Sequence, residues 1–163
     1  MNIEITEATR EEQPIIQNLA RFYIYDLSEF QQRKCPDDGL FEDEDYGRYW
    51  TEPGHFPFLV TCRNELAGFV FVEEGGSSAD IDYNIAEFFI VRKFRGKGVA
   101  RFVARERFQK FRGNWEVMAI AGNTPAIQFW KKTIHEYTQA HYTTSSEVHE
   151  CAMAVMRFSN TPK

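Results

Sequence analysis

The sequence lacks the features of a membrane protein, a disulfide-stabilised protein and a metal enzyme. No apolar run approaches the roughly 20 residues that span a bilayer, and residues 1–4 show no basic segment followed by an apolar core. The three cysteines form no Cys-x-x-Cys pair, and the four histidines have no zinc-ligand spacing. We therefore expect a cytoplasmic protein without a metal ion and without membrane contact.

Three common catalytic signatures are also missing. The chain contains no Walker loop, no Gly-x-Gly-x-x-Gly fingerprint with a downstream ribose-binding acid, and no Gly-x-Ser-x-Gly elbow. These absences argue against a P-loop nucleotidase, a Rossmann dehydrogenase and an α/β-hydrolase.

The composition indicates a globular protein of 163 residues in which 15% are aromatic, enough to fill a core with large rings. We expect a single domain over residues 1–158 and a polar tail over 159–163. The net charge is −5, but acids are concentrated in residues 29–52, and residues 92–113 hold nine bases and one acid. The chain therefore offers one segment that favours cations and another that favours anions.

Hydrophobic periodicity predicts an α/β (α+β) chain in the order β-α-α-β-β-β-α-β-α-β-β, with one mixed sheet flanked by helices. Thr9 is expected to cap the first helix, which should fray near residues 26–29. The remaining elements are predicted as a short helix (42–50), a hairpin (56–62 and 66–72), a strand (81–91), a helix (98–111), a strand (115–121), a helix (124–133) and two strands (138–144 and 151–158).

The sharpest motif is a glycine turn between the apolar strand at 81–91 and the following helix. It reads Arg95-Gly96-Lys97-Gly98-Val99-Ala100. Glycines let the backbone approach a ligand closely, and amide groups at a helix N-terminus attract phosphate oxygens. A plain strand-to-helix turn with solvated basic residues is the alternative interpretation.

This turn resembles the Arg/Gln-x-x-Gly-x-Gly/Ala signature of the GNAT acetyltransferase superfamily, and Asn123 to Lys132 is similar to that family's Asn-x-x-Ala-x-x-Phe-Tyr block. The resemblance implies a mostly antiparallel sheet of six to seven strands with helices on both faces. It also implies acetyl-CoA as co-substrate, bound by Phe89, Ile90, Val91, Arg95, Gly96, Lys97, Gly98, Val99, Ala100 and Asn123. Helix capping is the alternative role for Asn123.

Acetyl transfer to an amine needs a base, and Glu87 is the best candidate because it lies about 13 Å along an extended strand from Val91. Glu87 could instead pair with an arginine or anchor the substrate. Trp130 stands where many family members carry a tyrosine that protonates the leaving thiolate, and an indole cannot do this. Tyr137, Tyr142 or water could replace it, or the thiolate could leave without help.

The family resemblance places the acceptor beside the end of the first helix, where Tyr25, Asp26 and Glu29 could hold an ammonium group. Aromatic packing and solvated acids are the alternative for each of them. The function implied is N-acetylation of a small-molecule or peptide amine by a monomer or homodimer. A non-catalytic acyl-CoA-binding regulator is the second hypothesis. Nucleic-acid binding by the basic helix is disfavoured by the acidic net charge.

Overall fold

The computed structural model describes residues 2–42 and 46–161. Short 3-10 helices lie at Arg10–Glu12, Tyr46–Trp50 and Arg92–Phe94. The longer elements are β1 (Ile3–Glu7), α1 (Gln13–Gln31), β2 (His55–Cys62), β3 (Glu65–Glu74), β4 (Tyr83–Ile90), α2 (Val99–Lys110), β5 (Asn114–Ile120), α3 (Thr124–Thr138), β6 (Thr143–Val148) and β7 (Ala152–Ser159).

The seven strands form one sheet in the order β1-β2-β3-β4-β5-β7-β6. β1 pairs with β2, β5 with β7, and β6 with β7, all antiparallel, while β4 pairs with β5 in parallel. The predicted mixed, mostly antiparallel α/β fold is therefore confirmed. The predicted helix at 42–50 is a 3-10 helix over Tyr46–Trp50, and residues 43–45 of that prediction lie outside the described residues.

The chain divides into two compact units, the first of which comprises Met1–Phe71 and Glu87–Val99. Aromatic rings fill its core. Tyr23 of α1 meets Phe69 edge-on at a centroid distance of 5.9 Å, and Tyr46 meets Phe71 edge-on at 5.2 Å. The many aromatic residues of the sequence thus attach α1 and the 3-10 helix after it to β3.

Thr9 caps the start of the helical segment as predicted, but the segment ends later than predicted. The Thr9 amide donates to the Glu12 carboxylate at 2.9 Å as part of a capping box on the 3-10 helix Arg10–Glu12, and α1 follows directly from Gln13 to Gln31. The predicted fraying at residues 26–29 is wrong, because Asp26 is held by two arginine side chains and the Ser28 hydroxyl donates to the Tyr25 carbonyl.

β2 and β3 form the predicted hairpin. Arg63 and Asn64 both adopt positive φ values, 55° and 61°, which is the turn conformation that matches the twist of a two-residue hairpin. Within β3, a side chain at Gly68 would place its Cβ 2.0 Å from the carbonyl oxygen of Phe89. Glycine is therefore required where β3 and the end of β4 approach each other closely.

The second unit comprises Val72–Ala86 and Ala100–Lys163. Val103, Ala104 and Phe108 of α2 are buried, and the Phe108 ring meets Trp115 of β5 edge-on at 5.0 Å. Phe102 of the same helix is 40% exposed and lies outside this buried stripe.

α3 is longer than predicted, and the strand after it is shorter. The helix extends to Thr138, so the strand expected at 138–144 begins only at Thr143. Gln139 ends the helix in the left-handed conformation, and its amide donates to the His135 carbonyl. No glycine marks this end of the helix, which explains the misplaced boundary.

β7 ends at Ser159, and the side chain of the next residue, Asn160, is hydrogen-bonded to the backbone that follows α2. Its amide nitrogen donates to the Phe111 carbonyl at 3.0 Å, and its oxygen accepts from the Gly113 amide at 2.8 Å. No helix in residues 2–42 or 46–161 combines the length and apolarity that a membrane crossing requires.

Candidate active site

The glycine turn connects β4 to α2 and is open on its outer side. Gly96 and Gly98 have φ values of 71° and 82°, a left-handed conformation that other residues adopt only at a cost. A Cβ atom built on either glycine meets no atom within 4 Å. The turn therefore has room for a ligand directly against its backbone.

Three consecutive backbone amides of this turn donate to no acceptor within the described part of the chain. Arg95 donates to the Arg92 carbonyl at 3.1 Å, but the amides of Gly96, Lys97 and Gly98 make no hydrogen bond there. α2 begins directly afterwards, and the first amides of a helix, here those of Val99 and Ala100, have no partner within the helix. This row of N–H groups and the helix dipole suit an anion such as a diphosphate.

The Arg95 side chain links the turn to the end of β4 and to α1. Its Nε donates to the Ile90 carbonyl at 2.7 Å, and one Nη donates to Asp26 of α1 at 2.7 Å. Its guanidinium lies 5.4 Å from the centre of the Phe89 ring, within cation–π range. Asp26, predicted as an acceptor contact, is therefore already paired with arginine.

The end of β4 presents the backbone that was predicted to bind the pantetheine arm. Phe89 and Ile90 lie past the three-residue parallel pairing of β4 with β5, which covers Tyr83 to Ile85. The Val91 amide donates to the Ala67 carbonyl at 2.9 Å and so is engaged. The Val91 carbonyl in turn accepts from the Phe94 amide at 2.9 Å, so a role for Val91 in cofactor binding, which stays a prediction, would have to use the second lone pair of that oxygen.

Glu87 is partly buried and contacts Tyr23, which α1 presents to this strand. The Tyr23 hydroxyl is hydrogen-bonded to the Glu87 carboxylate. Burial, together with the negative charge of Glu87 and this hydrogen bond, raises the pKa of Tyr23 well above its usual value. Tyr23 therefore stays protonated at neutral pH, and its hydroxyl donates a hydrogen bond to the carboxylate. Pairing of Glu87 with an arginine, the alternative role, stays a prediction.

Tyr25 and Glu29 lie apart from this arrangement. Tyr25 follows Tyr23 by two residues, which places it about 200° around the helix, away from Glu87. Its ring is 58% exposed and meets Phe41 edge-on at 5.4 Å. Glu29 is exposed near the end of α1. Contact of either residue with an acceptor stays a prediction.

In the second unit, Asn123 is the N-cap of α3, since its side-chain oxygen accepts from the Ala126 amide at 3.2 Å. The capping alternative is therefore observed, and a contact with the cofactor stays a prediction. Trp130 is only 5% exposed and its ring meets Phe129 edge-on at 4.9 Å, as expected of a packing residue. The Tyr137 hydroxyl lies 3.5 Å from the Asn160 amide nitrogen.

Two site residues were missed by sequence reasoning. Gly68 permits the close approach of β3 to Phe89, and an isolated glycine inside an apolar strand was its available signal. Tyr23 was not predicted to bond Glu87, although the hydroxyl of a half-buried tyrosine needs a hydrogen-bond partner. The described ranges contain no group of three or more His, Cys, Asp or Glu side chains that could hold a metal ion.

Comparison with known proteins defines the class. The sequence profile of the acetyltransferase (GNAT) family matches residues 21–135, and the chain belongs to this family. No curated protein sequence matches.

Solved structures share the fold at low identity. An acetyltransferase from Thermus thermophilus superposes with a TM-score of 0.71 at 14% identity, covering 98% of this chain and 97% of that one. A Bacillus anthracis protein solved in complex with acetyl coenzyme A gives 0.63 at 11%, covering 99% and 100%. Spermidine N-acetyltransferase from Vibrio cholerae, solved with CoA and spermine, gives 0.62 at 16%, covering 96% and 95%.

Proposed function

We propose that this member of the GNAT family is an acetyl-CoA-dependent N-acetyltransferase that acts on a primary amine of a small molecule or peptide by direct attack in a ternary complex. The observation that carries the proposal is the open glycine turn, whose amides at Gly96, Lys97 and Gly98 have no partner in the described chain. The resemblance in fold to proteins solved with acetyl coenzyme A and with CoA and spermine supports it.

The turn fits a diphosphate on three counts. It is open, its amides are unengaged, and the positive end of α2 adjoins it. We propose that Gly96, Lys97, Gly98, Val99 and Ala100 hold the cofactor phosphates and that the backbone of Phe89 to Val91 holds the arm that carries the acetyl thioester. Arg95 would keep the turn in shape. When bound, acetyl-CoA supplies the activated acetyl group.

Glu87 would act as the base. An alkyl ammonium has a pKa of about 10, so at neutral pH the acceptor must lose a proton before its nitrogen can form the new C–N bond. The Glu87 carboxylate would take that proton directly or through a water molecule. Tyr23 would hold the carboxylate in place by donating to it, since its own proton is retained.

The thiol product also needs a proton, and Trp130 cannot supply it. Its indole is buried against Phe129, so we propose that Trp130 packs and that water or another donor protonates the thiolate. The bond from the acetyl carbon to sulfur breaks as the amide forms. Because a thiol has a pKa of only about 8.5, the thiolate can leave without a dedicated acid.

A thiol-release assay tests the proposal. Purified protein is incubated with acetyl-CoA and one amine at a time, and free CoA thiol is measured. The amines are drawn from polyamines, amino acids, aminoglycosides and peptide amines. We expect release with at least one amine. Glu87→Gln should lower turnover by about 10²-fold or more at neutral pH, the usual contribution of a general base, and less at alkaline pH where the amine is already neutral. The exposed Glu74→Gln on β3 is the matched control.

Two results would separate the hypotheses. Thermal stabilisation by acetyl-CoA without thiol release over the whole panel would favour the non-catalytic regulator. Absence of both stabilisation and thiol release would reject the assigned phosphate turn. Unchanged turnover in Glu87→Gln would remove only Glu87 from the mechanism and leave the transferase function in place.

A further inference from the structure

Asp26 forms a bridge between α1 and the segment that leads into the glycine turn. Its Oδ1 accepts from the Arg92 guanidinium at 2.6 Å, and its Oδ2 accepts from the Arg95 guanidinium at 2.7 Å. The Asp26 side chain is 21% exposed, whereas Arg95 is 43% and Arg92 75% exposed, so solvent screens the Arg95 pair less than the Arg92 pair. Each carboxylate oxygen therefore accepts one charge-assisted hydrogen bond.

Arg95 connects Asp26 to the turn. It is the residue directly before Gly96, and its Nε is fixed on the Ile90 carbonyl at 2.7 Å. Three contacts, with Ile90, Asp26 and the Phe89 ring, thus determine where its guanidinium lies. The Arg95 side chain thus links the start of the turn back to the end of β4. Of its three partners, only Asp26 lies on α1.

The charge state of Asp26 agrees with this role. Burial raises the pKa of the carboxyl group, but hydrogen bonds from Arg95 and Arg92 outweigh burial, so that the pKa lies below its usual value. Asp26 is therefore charged at neutral pH. Two guanidinium groups already balance that negative charge, which weakens its attraction for an acceptor ammonium.

We propose that Asp26 is a positioning residue for the phosphate turn, acting through Arg95, and not a contact of the acceptor amine. The inference rests on the proposed function, because it assumes that the turn binds the cofactor phosphates. The amides of Gly96, Lys97 and Gly98 do not contact Asp26, so the carboxylate leaves the phosphate-binding groups open while it fixes the chain that carries them.

Calorimetric titration of acetyl-CoA tests the proposal on three proteins. In Asp26→Asn the dissociation constant should rise about tenfold, the size expected when a charge-assisted hydrogen bond in a partly buried site is lost. The acceptor KM and kcat at saturating acetyl-CoA should stay near the wild-type values. The control is Glu65→Gln, which removes an exposed carboxylate paired with Lys93 in the same segment and should change the dissociation constant less than about twofold.

A second variant keeps the test independent of the folding of the first. Arg95→Gln leaves Asp26 in place and should weaken acetyl-CoA binding at least as much, and the double variant should be no weaker than Arg95→Gln alone. Circular dichroism confirms that each variant is folded.

Three outcomes would overturn the inference. They are an unchanged dissociation constant with a raised acceptor KM, tighter acetyl-CoA binding in Asp26→Asn, and additive losses in the double variant. Failure of the wild-type protein to bind acetyl-CoA would instead reject the proposed function itself.

Discussion

The Tyr23 hydroxyl donates a hydrogen bond to the Glu87 carboxylate, across from α1 to β4. Both residues belong to the first compact unit, and the Tyr23 ring also meets Phe69 and Phe89 at centroid distances of 5.9 Å. The ring contacts fix the phenol, and the phenol fixes the carboxylate. Because the Glu87 side chain is already oriented, no side-chain entropy has to be lost when it takes the proton.

Tyr23→Phe should therefore lower turnover while it preserves the ring packing. We expect a decrease of about tenfold in kcat, which corresponds to the loss of one hydrogen bond to a charged group, and little change in the acetyl-CoA dissociation constant. Thiol-release kinetics measured from pH 6 to pH 10 check this. The control is Tyr83→Phe, which lies on β4 together with Glu87. If Tyr23 acts through Glu87, the variant lacking both groups will be no slower than Glu87→Gln. A further loss would contradict the assignment.

Sequence reasoning predicted the parts of the site that are local in the chain. The turn from Arg95 to Ala100 follows from two glycines between a strand and a helix, and the Arg63 hairpin follows from two neighbouring strand patterns. Both depend on residues only a few positions apart. The order of elements was likewise predictable because each helix and strand carries its own periodicity.

The contacts across the chain were not predictable in this way. Asp26 contacts Arg92 and Arg95, which lie 66 and 69 residues further along the chain. No pattern near Asp26 shows whether its carboxylate pairs with an arginine of the same protein or binds a substrate ammonium. The end of α1 was misplaced for the same reason, since tertiary ion pairs hold a segment whose local sequence favours fraying. The end of α3 was misplaced because Gln139, and not glycine, takes the left-handed position.

Gly98→Asp should abolish acetyl-CoA binding. An aspartate there would be strained at a φ of 82° and would place a negative charge among the amides proposed to hold phosphate. We expect the dissociation constant to rise by about 100-fold or more, since strain and like-charge repulsion act together. Titration calorimetry is the measurement.

Gly39→Asp is the matched control for Gly98→Asp. Gly39 has a similar φ of 75° and also no atom within 4 Å of a built Cβ, but it lies in a separate loop. It should lose about 1–2 kcal/mol of stability from backbone strain and keep its affinity for acetyl-CoA. Equal binding by wild type and Gly98→Asp would show that the phosphates bind elsewhere.

Trp130→Phe should affect stability more than catalysis. The indole is buried in α3, and its replacement by a smaller ring leaves unfilled volume at a cost of about 1–3 kcal/mol in the free energy of unfolding. Turnover per folded molecule should change little, because packing is the role assigned to this residue. Urea unfolding and thiol release measure the two quantities. A large loss of turnover at unchanged stability would instead indicate that the indole acts in the reaction.

Glu147 should make the protein more stable above pH 5 than at strongly acid pH. Arg157 donates to both Glu147 carboxylate oxygens, at 2.6 and 3.0 Å, and its Nε donates to the buried Glu116 at 2.7 Å. Hydrogen bonds from Arg157 and Ser145 lower the pKa of Glu147 from 4.5 to about 2. Because the folded-state pKa is depressed, the stabilisation is complete above the unfolded value of 4.5 and is lost as the pH falls towards 2.

Melting temperatures of wild type and Glu147→Gln across this range test the acid dependence. The wild type should melt higher at pH 6, and the difference should shrink steadily between pH 4.5 and pH 2. Glu150→Gln, at an exposed position three residues further along the chain, is the control and should show no such pH-dependent difference. A Glu147→Gln difference that stays constant down to pH 2 would mean that Glu147 stabilises the fold through contacts that do not depend on its charge and that glutamine does not reproduce, and not through its charge with Arg157.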